Sequence, residues 1–123
     1  MGLAEAANRP AKQLSYGERR LVEVARASVA SPKLLLLDEP AAGLPHSEAI
    51  ELGRTLQRLV GETGMTVVLI EHNVRMVVDI CDEITVLVEG AVIESGSPSA
   101  VLASRAVIES YMGTKRTEGW SRA

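Results

Sequence analysis

Two adjacent carboxylates, Asp38 and Glu39, directly follow a run of four leucines at residues 34–37. Ionised carboxylates at the end of an apolar segment are costly unless a cation or a hydrogen-bond donor meets them. In enzymes that hydrolyse nucleotides, the aspartate of such a pair helps to hold Mg²⁺, and the next acid orients and deprotonates the attacking water. The alternative is a pair that caps a helix or lies in a loop. A glycosidase-type acid pair is less favoured, because neighbouring side chains on a strand point to opposite faces.

A second cluster, Ser15-Tyr16-Gly17-Glu18, stands at the start of a helical pattern. Taken alone, S-x-x-E favours a capping box, in which the serine and glutamate side chains bind the first backbone amides. The same helix start is also suited to an anion, because free amides and the serine hydroxyl can contact phosphate oxygens. The two interpretations are compatible, since a capped helix has further amides to offer.

His72 follows a second apolar segment, in the order Ile70-Glu71-His72-Asn73. A lone histidine is more often structural than catalytic. If it lies beside Asp38 and Glu39, its imidazole could hydrogen-bond a transferring phosphoryl group and stabilise the developing charge. A zinc site is the competing interpretation, but the sequence has neither the H-E-x-x-H spacing nor a cysteine cluster, and His46 lies in a predicted turn.

The composition of the chain indicates one globular domain. Its 123 residues are 46% hydrophobic and 24% charged, and the scarcity of aromatic residues predicts an aliphatic core. The net charge of −3 offers no basic face for nucleic acid. Cys81 is the only cysteine, which excludes a disulfide within the chain and favours a reducing compartment. No segment approaches the ~18 consecutive apolar residues of a membrane span, and no signal-peptide core is present. We therefore expect a soluble chain whose membrane contact is peripheral.

The spacing of apolar residues predicts alternating helices and strands, which must position these side chains. The predicted elements are a helix from Ser15 to before Pro32, a strand over 34–37, a helix over about 45–60, a strand over 65–70, a short helix capped by Asn73, a hairpin over 84–94 that turns at Glu89-Gly90, and a helical segment over about 98–112. This order is typical of an open parallel sheet with crossover helices. Such folds bind ligands beyond the carboxyl ends of their strands, so we expect Asp38-Glu39 and Glu71-His72 at one edge.

The motifs, taken in order, resemble those in the C-terminal half of an ATP-binding cassette (ABC) transporter ATPase subunit. The likeness rests on Leu14-Ser15-Tyr16-Gly17-Glu18, residues 34–40, Ala41-Ala42-Gly43-Leu44 and Glu71-His72, and it covers residues 14–113. The wording of residues 15–17, 41–44 and 107–113 is most similar to subunits that energise branched-chain amino acid uptake.

The resemblance implies a fold and a division of the chain. The fold class is α/β, a partial P-loop NTPase-type fold with a mostly parallel sheet flanked by helices, followed by a C-terminal β-hairpin and helices. The implied regions are a lead-in at 1–13, the C-terminal part of an ABC ATPase domain at 14–113, and a polar tail at 114–123.

The resemblance also implies a role for individual residues. Ser15, Tyr16 and Gly17 fall in the signature loop, where the serine and the glycine would contact the γ-phosphate of ATP held by an opposite subunit. The other implied roles belong to Asp38 as the Walker B aspartate linked to Mg²⁺ through water, Glu39 as the catalytic base, Gly43 in the D-loop at a dimer interface, and His72 as the switch histidine.

The sequence also departs from the family pattern. Tyr16 and Glu18 stand where the commonest signature has glycine and glutamine. No G-x-x-x-x-G-K-S/T P-loop occurs in the 123 residues, nor does a recognisable glutamine loop or adenine-stacking aromatic residue. We therefore expect that the isolated chain does not bind and hydrolyse ATP. Half of a parallel sheet is also expected to leave an unpaired strand edge and an uncovered apolar face.

The function implied is the C-terminal portion of a nucleotide-binding subunit that couples ATP hydrolysis to import of branched-chain amino acids. The implied cofactors are ATP and Mg²⁺. The implied partners are a second ATP-binding subunit, membrane permease subunits and, indirectly, a substrate-binding protein, at the cytoplasmic face of the cell membrane. Nucleic acid is not an expected partner. Two alternatives remain open: a non-catalytic interaction module that completes a partner's ATP site, and an ABC ATPase outside transport, in DNA repair or translation.

Overall fold

The computed structural model describes residues 2–111, which form two compact units that divide between Ile80 and Cys81. The predicted polar tail at 114–123 lies outside the described residues. The first unit contains two 3₁₀ turns, Ala4–Ala6 and Ala11–Gln13, and then α1 (Tyr16–Ser28), β1 (Leu34–Asp38), α2 (His46–Thr63), β2 (Thr66–Ile70) and α3 (Val74–Ile80). The second unit contains β3 (Ile84–Val88), β4 (Ala91–Gly96), α4 (Pro98–Ala103) and α5 (Arg105–Tyr111).

The sheet of the first unit is parallel, as predicted. β1 and β2 pair in register from Leu34 opposite Thr66 to Asp38 opposite Ile70, and α2 is the crossover between them. A parallel pair needs such a long connection, because the chain must return to the starting edge. The carboxyl ends of the two strands therefore lie side by side.

The core of this unit lies where α1, α2 and α3 pack on one face of the sheet. Leu52 and Leu56 of α2 and Met76 of α3 are its largest fully buried side chains. Leu37 and Leu69 pack against this cluster from the two strands. Alternation along β1 and β2 thus gives one covered face, and the helical spacing of α2 supplies the apolar stripe that covers it.

The opposite face of the same sheet is apolar and open. Leu34 and Leu36 are 51% and 68% exposed, and Val68 and Ile70 are 51% and 63% exposed. In the described part of the chain this sheet has two strands, so each strand also has one unpaired edge. The expected uncovered apolar face is therefore present.

Capping residues mark the end of α2 and the start of α3. Gly64 ends α2 in the left-handed conformation, with φ at 68°, which glycine adopts at little cost. Asn73 begins α3, because its Oδ1 accepts a hydrogen bond of 3.2 Å from the Met76 amide. No helix among residues 2–111 is long and apolar enough to cross a membrane.

The second unit is built on the predicted hairpin. β3 and β4 are antiparallel, and Glu89 and Gly90 turn the chain with φ of 50° and 81°, the positive values that a type I′ turn requires. The segment predicted to be helical over about 98–112 contains two helices in the described residues, α4 and α5. Ser104 is extended, with φ at −68° and ψ at 122°, and its carbonyl accepts a hydrogen bond from the Ile108 amide, so it ends α4 and begins α5.

Candidate active site

The loops that follow β1 and β2 bring Glu39 and His72 together. Glu39 Oε1 lies 3.7 Å from His72 Nδ1, and the two side chains are 51% and 71% exposed. The expectation that both strands deliver polar side chains to one edge is confirmed, while the catalytic roles of these residues stay predictions. The pair is open to solvent, so a ligand can reach both groups.

The backbone of Glu39 turns sharply at this edge. Its φ is 45°, in the left-handed region that a non-glycine residue adopts at a cost. The Glu39 amide donates to the Ile70 carbonyl at 2.8 Å, and the Glu39 carbonyl accepts from the Ala42 amide at 3.0 Å. These two hydrogen bonds continue the strand ladder by one residue and then start the turn that follows β1.

Asp38 is the last residue of β1 and is exposed. In the described part of the chain its carboxylate has no recorded hydrogen bond or ion pair, and no cluster of three metal-ligating side chains occurs there. Mg²⁺ characteristically takes one or two carboxylates together with waters and substrate phosphates. A single free carboxylate fits that mode, so the chemistry of Asp38 is compatible with the predicted link to Mg²⁺.

The start of α1 contains a complete capping box, as the sequence indicates. The Glu18 amide donates to Ser15 Oγ at 3.1 Å, and the Ser15 amide donates to the Glu18 carboxylate at 2.7 Å. This second hydrogen bond, and then an ion pair with Arg9, hold the pKa of Glu18 below its ordinary value. Among residues 2–111 the amides of Tyr16 and Gly17 have no recorded acceptor, so the capped helix still offers two donors to an anion.

The Tyr16 side chain contacts the loop that follows β1. Its hydroxyl donates to the Ala42 carbonyl at 3.1 Å and accepts from Arg20 Nη2 at 2.7 Å. Gly43 has φ at 76°, and a Cβ at that position would lie 3.3 Å from the Tyr16 ring. The phenol is therefore used within the chain, which leaves the Tyr16 amide as the group available for the predicted nucleotide contact.

Gly17 lies beside the first turn of α2. A Cβ at Gly17 would meet the tip of the flexible Glu48 side chain, which would have to shift. Of the predicted signature residues, Tyr16 and Gly17 lie against the end of the loop at residues 39–44. The start of the same loop carries Glu39, beside His72. No contact is recorded between Ser15 and the Glu39–His72 pair in the described residues.

Sequence reasoning missed a second bridge to this loop, made by Glu71. Its Oε1 accepts a hydrogen bond from the Ala41 amide at 2.7 Å, although the two residues are 30 positions apart. The available signal was an acidic residue directly after an apolar strand, the same signal that singled out Asp38 and Glu39. A shallow depression of about 590 Å³ lies elsewhere, along one side of α2. One helix forms it, and it contains none of the predicted site residues.

Known proteins are similar to this chain in sequence. A family model described as ABC transporter matches residues 1–42. The high-affinity branched-chain amino acid transport ATP-binding protein BraF of Pseudomonas aeruginosa is 41% identical over 113 residues, which cover 92% of this chain and 44% of BraF. The lipopolysaccharide export system ATP-binding protein LptB of Escherichia coli K12 is 38% identical over 102 residues, covering 83% of this chain and 42% of LptB.

A solved structure is similar to this chain in fold as well as in sequence. The ADP conformation of MJ1267, an ATP-binding cassette of an ABC transporter, matches with a TM-score of 0.76 at 32% identity, over 85% of this chain and 42% of MJ1267. The α/β fold class is thereby confirmed. The chain spans less than half the length of these three relatives. The similarity covers most of this chain in both sequence and structure, and the chain therefore belongs to the ABC transporter family of ATP-binding proteins.

Proposed function

We propose that this chain supplies the C-terminal portion of the ATP-hydrolysing subunit of an ABC importer for branched-chain amino acids. The observation that carries the proposal is the distance of 3.7 Å between Glu39 and His72 at the carboxyl ends of two parallel strands. That edge is where open α/β sheets bind ligands. An exposed acid beside an exposed imidazole is suited to activating water next to a phosphoryl group.

In this proposal each residue acts on a different part of the bound nucleotide. Glu39 accepts a proton from the attacking water, and His72 donates a hydrogen bond to the γ-phosphate. Asp38 would hold Mg²⁺ through water, and the metal would supply positive charge to balance that of the phosphates. Ser15, with the amides of Tyr16 and Gly17, binds the γ-phosphate of ATP carried by a second ATP-binding subunit. Gly43 lies at the interface between the two subunits.

The uncovered sheet face supports the further proposal that another part of a cassette completes this site. Contiguous exposed apolar surface of this kind marks an interface, and the chain spans only 44% of BraF. The chain also has no P-loop motif to hold phosphates. We propose that it neither binds nor hydrolyses ATP alone and works at the cytoplasmic membrane face with permease subunits and, indirectly, a substrate-binding protein.

The decisive experiment is a chimera in which this chain replaces the aligned segment of BraF. We expect the chimera to hydrolyse ATP and Glu39→Gln to lower the turnover number by about 10²–10⁴-fold, the usual contribution of a general base. The matched control is Glu51→Gln, which changes an exposed glutamate of α2 and should leave turnover unchanged. Equal turnover in the Glu39→Gln and Glu51→Gln chimeras would reject Glu39 as the base.

Two further measurements test the remaining parts of the proposal. Equilibrium dialysis of the isolated chain should show no ATP binding, and measurable binding would contradict the need for completion. Uptake of leucine by a P. aeruginosa strain in which the chimera replaces BraF should be restored. Absence of uptake by an ATPase-active chimera would contradict the proposed coupling to a branched-chain amino acid importer; LptB, at 38% identity, is an export protein by its name.

A non-catalytic module is the second candidate, and the two free amides at the start of α1 favour it. They could complete a partner's ATP site even if Glu39 takes no part in hydrolysis. In that case the chimera would turn over ATP at the same rate with glutamate or glutamine at position 39. The chimera would lose activity when Gly17→Asp places a negative charge beside the start of α1.

A further inference from the structure

We infer that Glu71 is a positioning residue whose carboxylate ties the loop after β1 to the loop after β2 and so holds Glu39 opposite His72. The inference rests on the proposed function for its consequence in catalysis, but its geometry stands independently. Nothing in the motif pattern or in the names of the relatives assigns a role to this residue.

One carboxylate serves amides from both loops. Glu71 Oε1 accepts from the Ala41 amide at 2.7 Å, and Glu71 Oε2 accepts from the His72 amide at 3.2 Å and, more weakly, from the Asn73 amide at 3.5 Å. The Ala41 donor is on the loop after β1, while the other two amides follow β2. Hydrogen bonds to an ionised acceptor are stronger than neutral ones and fix geometry more firmly.

The burial of Ala41 makes this bridge necessary. Ala41 is 7% exposed and belongs to the core cluster, so water reaches its amide poorly. A buried amide without an acceptor costs as much as a lost hydrogen bond or more. Glu71 is itself half-buried, and it is the recorded acceptor for this amide. The loop conformation around Ala41 therefore depends on the carboxylate.

The bridge acts on the reactive pair through the backbone. Glu39 lies two residues before Ala41, and its amide is already held by the Ile70 carbonyl at 2.8 Å. Two consecutive residues at the end of β2 and just after it therefore hold the loop that carries Glu39: Ile70 binds the Glu39 amide, and Glu71 binds the Ala41 amide. Because the same carboxylate also holds the His72 amide, a change in Glu71 displaces both members of the pair relative to each other.

The first test uses the full 123-residue chain and amide hydrogen exchange. Glu71→Asp shortens the side chain by one methylene, so it keeps the adjacent amides in reach and loses the Ala41 amide. We expect exchange at Ala41 to accelerate roughly tenfold to a hundredfold, the range for a hydrogen bond to a charged group. Exchange at Leu52, in the core of α2, should not change, which shows that the variant is folded. Unchanged exchange at Ala41 would overturn the inference.

The second test measures positioning directly and needs no enzymatic activity. In the parent chain, Glu39→Gln should shift the NMR signals of the His72 ring, because the two side chains are neighbours. In the Glu71→Asp chain, the same Glu39→Gln change should leave those signals almost unmoved. A purely structural role for Glu71 would lower stability but preserve the response, and that result would overturn the inference. Glu71→Gln, which keeps the length and one acceptor oxygen, replaces Glu71→Asp if the shorter variant does not fold.

The third test uses the BraF chimera and separates this inference from the proposed function. Glu71→Asp should lower the turnover number about tenfold or more and leave KM for ATP within about twofold, since it displaces the reactive pair and not the nucleotide. If Glu39→Gln abolishes turnover and Glu71→Asp does not reduce it, the positioning role is wrong. If Glu39→Gln itself has no effect, the proposed function fails, and the NMR response alone decides the role of Glu71.

Discussion

Replacing Glu39 by glycine should stabilise the fold while it removes the proposed base. Glu39 has φ at 45°, in the left-handed region, and its backbone makes hydrogen bonds to Ile70 and Ala42 that glycine retains. Glycine reaches this region without the clash between Cβ and the following carbonyl. The appropriate comparison is with Glu39→Gln, which keeps the strained backbone and also removes the carboxylate beside His72.

The size of the effect follows from two opposing terms. The left-handed conformation costs a non-glycine residue about 1–2 kcal/mol. Glycine loses more conformational freedom on folding than glutamine does, and this loss destabilises the glycine variant by roughly 0.5–1 kcal/mol. The Glu39 side chain is 51% exposed, so little packing is lost. We therefore expect the free energy of unfolding of the glycine variant to be about 0.5–1 kcal/mol higher than that of the glutamine variant.

Urea unfolding of the full chain measures this difference, with equal m-values as the condition for comparing midpoints. Ser31 provides the matched control, because its φ is 49° in the same unit and it lies outside the candidate site. Ser31→Gly should likewise be more stable than Ser31→Ala. If glycine stabilises position 31 but destabilises position 39 relative to glutamine, the argument that Glu39 stores backbone strain is refuted.

Three other predictions concern stability, pH dependence and reactivity. Gly61→Ala should raise the free energy of unfolding in urea by about 0.5–1 kcal/mol, because no atom lies within 4 Å of a Cβ there and alanine is the better helix former. The Ser15 amide lowers the pKa of Glu18 below 4.5, so its NMR titration should fall below that of an ordinary glutamate. Its contribution to stability should therefore be fully present above about pH 4.5 and lost as the pH falls through the folded-state pKa. Burial raises the pKa of the Cys81 thiol, so iodoacetamide should alkylate Cys81 more slowly at pH 8 than a free cysteine does, as mass spectrometry will measure.

Each of these predictions has its own control. Gly64→Ala should destabilise the chain, since φ is 68° there, and a gain at Gly64 equal to that at Gly61 would contradict the conformational argument. Glu18→Gln should flatten the acid limb of the stability profile, and an unchanged profile would contradict the assignment. Unfolding in urea should bring Cys81 to the rate of a free cysteine. Equal rates with and without urea would show that burial does not protect the thiol.

The sequence predicted those features of the fold that depend on local patterns. The parallel pair with its crossover helix follows from two apolar segments separated by a helical repeat, and the caps at Ser15 and Asn73 follow from residue type and spacing. The hairpin followed from Glu89-Gly90 between alternating residues. The helical character of residues 98–111 was predicted, but the break at Ser104 was not located, because the prediction considered only the extent of the helical segment and not the serine within it.

The site was predictable in composition but not in its connections. Strand order alone places Glu39 and His72 at one edge, so their proximity followed from topology. The bridge from Glu71 to Ala41 and the hydrogen bond from Tyr16 to Ala42 join residues 30 and 26 positions apart. Such contacts depend on the exact backbone path of the loop, and no pattern of residue types encodes that path. The left-handed conformation of Glu39 was equally hidden, because a glutamate rarely adopts it.

The four leucines of β1 make its alignment with β2 ambiguous from the strand sequence alone. Sliding a strand by one position normally exposes its core side chains and buries polar ones, which penalises the error. Here both faces of residues 34–37 carry leucine, so a shift by one residue would cost almost no hydrophobic free energy. The loops at the strand ends must therefore fix the register of the two strands. A polypeptide layer that covered Leu34 and Leu36 would add a second constraint on this register. The distance between Glu39 and His72 would then depend on the binding of that layer.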